Sequence, residues 1–290
     1  MKSSRTLWRV VGSIAAFSTL LFIFGFIYAA QDVINPKPSD FGEEPSSTSG
    51  GVMEMFPKGD VTIVALGDSL TKGTGDLSLE GGYAGKAAKK LEVILKKPVH
   101  VINQAINGWR ADNLLNSLEE PNIQNLIKSA DIIMLTIGGN DLNHAADNPI
   151  DVTDTKIKVT PAPSETPGSN LEINYAEIKK SLSASEEKMA KILTTIATLN
   201  PNAKIVYVGL YNPYYEQDTK KEGTAILQDW NLKASQVASA YPNMLVVPTF
   251  DLFQLNIKYY LYIDEFHPNL LGYERIADRV VQALSLPLPE

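Results

Sequence analysis

The sequence of 290 residues has no cysteine. That excludes disulfides, thiolate metal sites, a cysteine nucleophile and lipid attachment through an N-terminal cysteine, so packing alone must hold the fold together. Histidine is scarce: only His100, His144 and His267 are present. Positive charge is also in deficit, with 26 Lys and Arg against 33 Asp and Glu, a net charge of -7 and a pI near 5.1. Nucleic acid is excluded as a partner on that ground, because phosphate binding needs clustered Lys and Arg. Long apolar runs are missing with one exception, residues 10–30, which carry no charge and follow Lys2, Arg5 and Arg9.

About 20 apolar residues at 1.5 Å each match the hydrocarbon thickness of a bilayer, so residues 10–30 read as a transmembrane anchor or a signal segment. The anchor is preferred. The run is longer than a typical signal core, and Tyr28 occupies the upstream small-residue position that a cleavage site before Gln31 would need. Basic residues 1–9 then stay cytoplasmic and the rest lies outside a cell membrane, single-pass, or is secreted if the segment is cleaved. Residues 31–58, rich in Pro, Ser, Gly and Glu, bury too little apolar surface to order themselves and read as a flexible linker.

Residues 59–290 are ordinary in composition, and the whole chain is 44% apolar and 20% charged. Apolar runs at Val61–Leu66, Pro98–Ile102, Asp131–Ile137, Lys204–Leu210 and Met244–Thr249 predict five strands, the last at an edge or ended by Pro248. Helical spacing over Gly82–Lys97, Ala111–Ser129, Tyr175–Leu199, Gly223–Ala240 and Leu270–Leu284 separates them, with Lys86, Lys89, Lys90 and Glu92 mostly off the apolar face of the first. Strand and helix alternate with connections too long for hairpins, which gives an α/β fold with a parallel sheet covered on both faces. An insertion at residues 143–170, with a possible strand at Lys156–Val159, reads as a functional lid or a disordered excursion.

All carboxyl ends of a parallel sheet lie along one edge, where ligands bind. Three ends here carry Gly67-Asp-Ser-Leu70, Asn107-Gly108 and Gly138-Gly-Asn-Asp141. A serine after a strand is most often only a helix cap, and either Asp68 or Ser69 can cap the helix that follows. A serine nucleophile needs a base. His100 falls inside a strand and His144 in the insertion, both better read as structural or solvated residues. His267 differs, because Asp264 three residues earlier can hold its Nδ1–H and leave Nε2 to face Ser69. The backbone N–H groups of Ser69 and Gly108 and the Asn140 amide are donors of the kind an oxyanion needs, each commonly worth about 100- to 1,000-fold in turnover.

In order and rough spacing, Gly67-Asp-Ser-Leu70, Gly108 after Asn103, Gly138-Gly-Asn-Asp141 and Asp264-x-x-His267 resemble the four blocks of the SGNH (GDSL) hydrolases, over nearly all of Val61 to Leu284. The second block departs, reading Ala105-Ile-Asn-Gly-Trp109 where Ser-Gly-Asp is more usual. The resemblance implies a flavodoxin-like three-layer α/β/α sandwich with a five-stranded parallel sheet. It also implies an esterase, lipase or acylhydrolase with Ser69 as nucleophile and first oxyanion donor, Gly108 and Asn140 as the other donors, His267 as base and Asp264 as its partner. No metal and no cofactor are implied. The substrate expected is a small-molecule, lipid or acylated glycan ester, with a cell-wall O-acetylesterase or a non-catalytic binding module as alternatives. The polar insertion lacks the apolar surface of a lipid-facing lid. The aromatic loops Tyr211–Tyr215 and Tyr259–Tyr262, with Trp109, are candidates for sugar or acyl contacts.

Overall fold

The structure is a computed structural model that describes residues 8–9, 17–22, 25–26, 56, 59–78, 80–145 and 173–285. Two compact units are present, Met1–Ser47 and Thr48–Glu290. In the first, residues 8–9, 17–22 and 25–26 are helical. The spanning helix expected over residues 10–30 lies mostly outside the described residues, and among those described no helix is long and apolar enough to cross a membrane.

The second unit is built on five strands: β1 (Val61–Gly67), β2 (Val99–Asn103), β3 (Ile132–Thr136), β4 (Lys204–Val208) and β5 (Met244–Val247). All neighbours pair in parallel in the order β2-β1-β3-β4-β5. That order puts β5 at an edge, where Pro248 costs no ladder hydrogen bond. It also reverses direction between β1 and β3, the place where an open α/β sheet of this order binds its ligand.

Helices in chain order are α1 (Ser69–Lys72), α2 (Gly82–Leu95), α3 (Ala111–Ser117), α4 (Pro121–Ser129), α5 (Gly139–Ala145), α6 (Tyr175–Leu199), α7 (Glu222–Ala238), α8 (Phe250–Gln254), α9 (Ile257–Tyr260) and α10 (Leu270–Ser285). Successive β1 side chains point to opposite faces. Ile63 and Ala65 join a core with Leu91 of α2 and Ile276 of α10, while Val64 and Leu66 join one with Leu114 of α3, Ile192 of α6 and Trp230 of α7. A strand apolar on both faces therefore serves two cores at once.

Two expectations are corrected. Residues 111–129 form two helices, α3 and α4, because Pro121 has no N–H to continue a ladder and its fixed φ suits the first turn of a new helix. Lys86 lies in the interior, with its side chain 3% exposed. The loop after α1 folds back over the start of α2, so Lys86 Nζ donates to Ser78 Oγ (3.0 Å) and Glu80 Oε2 (2.7 Å) and lies 3.7 Å from Asp76. A helical wheel sees only its own helix and not the carboxylates a loop brings to it. The start of the insertion, Asn143–Ala145, belongs to α5, and the strand expected at 156–159 lies outside the described residues.

Leu91 is fully buried and Val93, on the same helix, is 76% exposed. In urea denaturation of the full chain, Leu91→Ala is expected to cost about 2–5 kcal/mol and Val93→Ala less than about 0.5 kcal/mol. Equal losses would contradict this packing.

Candidate active site

The turn out of β1 is closed tightly against β3. Gly67 has φ +116°, and a Cβ on it would lie 1.8 Å from Thr136 O, so only glycine fits. Asp68 is the N-cap of α1: its Oδ1 accepts from Leu70 N–H (3.0 Å) and from the Thr136 hydroxyl (2.6 Å). With the Thr136 proton directed at Asp68, Thr71 donates to Thr136 Oγ1 (2.8 Å) and Tyr83 donates to Thr71 Oγ1 (2.7 Å). This buried relay of hydroxyls ends on a carboxylate, so each bond polarises the next. Burial pushes the Asp68 carboxyl up, while Thr136, the Leu70 N–H and His267 oppose the rise. Because Asp68 supplies the cap, the Ser69 hydroxyl is left for another partner.

That partner is His267. Ser69 Oγ lies 2.7 Å from His267 Nε2 across 198 residues of sequence, and both residues are buried. On the other side of the ring, Nδ1 is 2.7 Å from Asp264 Oδ2. An ionised carboxylate can only accept, so Nδ1 carries the proton and Nε2 is the acceptor facing the serine. Asp264 also builds the turn that carries the imidazole, since its Oδ1 accepts from the N–H groups of Phe266 and His267, both at 3.0 Å. Partial desolvation pushes the Asp264 carboxyl up, but the His267 ring and those two N–H groups outweigh it and hold it below its ordinary value. Tyr211 donates to Phe266 O (2.5 Å) and Tyr262 N–H to His267 O (2.7 Å), fixing the turn from both sides.

Gly108 sits in the loop after β2, at φ +76°. Ile106 N–H bonds to Gly67 O (3.0 Å), which ties this loop to the end of β1. Asn140, in the first turn of α5, donates through Nδ2 to Trp109 O (2.8 Å), beside Gly108, and retains a second N–H. Next to it, Asp141 accepts the Ala111 N–H with both oxygens (3.2 and 3.0 Å). Among the described residues the backbone N–H groups of Ser69 and Gly108 have no hydrogen-bond partner. The structure thus joins Ser69, His267 and Asp264 directly and ties the loops of Gly108 and Asn140 to one another and to β1. His100 and His144 stay apart on the surface, His100 bonded to Asp60 at 3.0 Å.

A cleft of about 750 Å³, open mouth included, adjoins these groups, with Leu70, Gly139 and Phe266 in its wall. Each is the chain neighbour of Ser69, Asn140 or His267. Leu142, Ile178 and Ile226 line the rest, with Tyr211 and Tyr214 from the first of the two aromatic loops. The sequence carries no separate signal for Ile178 or Ile226, since apolar residues at helical spacing read equally well as core. Among the described residues no group of three or more His, Cys, Asp or Glu side chains is arranged to hold a metal ion.

Desolvation pushes the Asp141 carboxyl up to about 6, against its bond from Ala111 and the charge of Arg110. The folded state then holds this proton more tightly than the unfolded chain does. Its contribution to stability is complete below the ordinary value of 3.8 and is lost as pH rises through about 6. Asp141→Asn removes that loss, so its stability relative to wild type should rise from about pH 4 to about pH 6.5 and then level off in urea titrations. A difference that stays constant across this window would contradict the assignment.

The sequence matches the model of the GDSL-like lipase/acylhydrolase family over residues 65–275. It is 33% identical to the uncharacterized protein YpmR of Bacillus subtilis (strain 168) over 235 residues, 80% of this chain and 84% of that protein. Identity to the spore germination lipase LipC of Bacillus licheniformis is 29% over 217 residues, 74% of this chain and 92% of LipC. Among solved structures, the lipase Lip_vut3 from a goat rumen metagenome superposes with a TM-score of 0.62 at 26% identity, covering 77% of this chain and 97% of that one. The strand order, the linked serine, histidine and aspartate, and these matches together show that the chain belongs to the GDSL-like lipase/acylhydrolase family.

Proposed function

We propose that this hydrolase cleaves carboxylic esters through an acyl-enzyme on Ser69, with its catalytic domain held at the outer face of a cell membrane by residues 10–30. The observation that carries the reading is the unbroken hydrogen-bond chain Ser69–His267–Asp264, both links at 2.7 Å. A serine hydroxyl becomes an effective nucleophile when a base takes its proton as the new bond forms.

In this reading Ser69 Oγ attacks the carbonyl carbon while its proton passes to His267 Nε2. Asp264 holds the ring and stabilises the imidazolium. Charge then collects on the former carbonyl oxygen, toward which the N–H groups of Ser69 and Gly108 and the second Asn140 N–H are the donors. The imidazolium protonates the departing alkoxide, leaving the acyl group on Ser69. Water attacks that ester with His267 again as base, and serine is restored.

The acyl group is assigned to the cleft beside Leu70 and Phe266. Its lining is almost wholly apolar and runs from Leu70 and Phe266 to Ile178 and Ile226, which favours longer acyl chains over O-acetylated glycans. Attachment to a membrane is supported by the uncharged stretch at residues 10–30 behind Lys2, Arg5 and Arg9. Phe17, Leu20, Leu21, Phe22 and Phe26 within it are each more than half exposed, as lipid-facing side chains are.

In the full chain, Ser69→Ala should lower hydrolysis of p-nitrophenyl butyrate by about 1,000-fold or more, and unchanged turnover would rule out the mechanism. For wild type, kcat/KM should climb from acetyl through butyryl to decanoyl esters, by up to about fourfold per CH₂ until the cleft is full. Ile178→Trp should abolish that climb while sparing the acetyl ester, and a flat profile in wild type would sink the acyl assignment.

A further inference from the structure

Exposed apolar side chains are ordinary when scattered, but here they gather at one edge. In the second unit, Leu77, Ile106, Leu255, Tyr259 and Ile263 are 47% to 89% exposed. All five lie in segments that follow the carboxyl ends of β1, β2 and β5, and Leu270 and Leu271 extend the set at the start of α10. Among the described residues of this unit, only Val93 and Leu232 are comparable and lie elsewhere, each alone on a helix.

The segments that carry them are in mutual contact. Thr74 Oγ1 donates to Asn107 Oδ1 (2.9 Å), joining the Leu77 loop to the Ile106 loop. At Gly75 a Cβ would lie 3.1 Å from the Cβ of Tyr262 and 3.3 Å from that of His267, so the same loop abuts the segment of Ile263. Asn269 Nδ2 donates to the carbonyls of Tyr259 (2.8 Å) and Leu261 (3.0 Å), which brings in α9 and the start of α10. The result is an apolar rim on the segments that flank Ser69 and His267, whose chain neighbours Leu70 and Phe266 stand in the wall of the apolar cleft.

We infer that this rim is a docking surface for a lipid layer, from which the ester enters the cleft directly. The inference rests on the ester-hydrolase reading and names the physical state in which that substrate is presented. A lipid is the occupant that fits, since the segments carrying Leu77 and Ile263 also supply Leu70 and Phe266 to the wall of a cleft that is itself apolar. The chain also carries its own uncharged stretch at residues 10–30. A net charge of -7 makes a zwitterionic surface a better match than an anionic one. Leucine, isoleucine and tyrosine standing out of loops are the side chains that enter the headgroup boundary with gain and without a charge to desolvate.

The absence of cysteine makes single-site labelling clean. Full-length Leu77→Cys and Ile263→Cys, each combined with Ser69→Ala so that no lipid is consumed, are labelled with an NBD fluorophore and reconstituted in phosphatidylcholine vesicles. Val93→Cys and Leu232→Cys serve as references. Emission at positions 77 and 263 should be blue-shifted and at least twofold brighter than at 93 and 232, and should be quenched by doxyl-labelled lipid. Emission equal to that of the references would overturn the inference, as would brightening that doxyl lipid fails to quench, which would mean that a second copy of the chain covers the rim. No turnover is needed for this readout, so failure of the ester-hydrolase reading would show separately, as hydrolysis by wild type that does not depend on Ser69.

Discussion

The close approach of β1 and β3 at their carboxyl ends is the constraint on which the site depends. Gly67 lets the two backbones touch, and the Thr136 hydroxyl closes the gap by bonding to Asp68. Burying a carboxylate is costly unless it is bonded, and Asp68 offsets that cost by receiving the Leu70 N–H and a relay of hydroxyls from Tyr83 and Thr71. The same bonds start α1 at Ser69 and leave its side chain uncommitted. The partner of that hydroxyl, the His267 imidazole, comes from the far end of the chain.

The histidine side also draws two duties from one group. Asp264 shapes its own turn through Oδ1 and sets the ring through Oδ2, so the geometry of the loop and the tautomer of the imidazole are a single property. The donors proposed for the oxyanion sit on loops that bond to one another. Asn140 reaches the carbonyl beside Gly108, and Asp141 bridges α5 to the start of α3. Each of these loops leaves a different strand, which is why the parallel sheet matters: it brings strand ends that are remote in sequence to one line.

Much of this was legible in the sequence, for identifiable reasons. The five strands stand out because a strand that feeds two cores is apolar at every position, as Val61–Leu66 nearly is. Helix α6 has the bounds expected, Tyr175–Leu199, because Asn200-Pro201 stops it, with Asn200 Nδ2 capping the carbonyls of Ile127 and Ala130. His267 and Asp264 could be named because histidine is scarce here and their spacing is local, and Ser69 because it follows a strand within Gly67-Asp-Ser-Leu70. The break at Pro121 is a local signal that the apolar spacing on either side of it masked, whereas the buried Lys86 could not be read so, since a loop outside its helix brings the groups that bury it. The cleft was hidden for a different reason: Ile178 and Ile226 have the pattern of core residues, and only the fold shows that they face a space.

The most direct test of the account is a crystal structure of the protein after reaction with an alkyl phosphonate. The phosphorus is expected on Ser69 Oγ, with the phosphonyl oxygen within about 3 Å of the backbone nitrogens of Ser69 and Gly108 and of Asn140 Nδ2, and the alkyl chain along Leu70 and Phe266. Modification at another residue, or a phosphonyl oxygen turned to solvent away from those three donors, would contradict it.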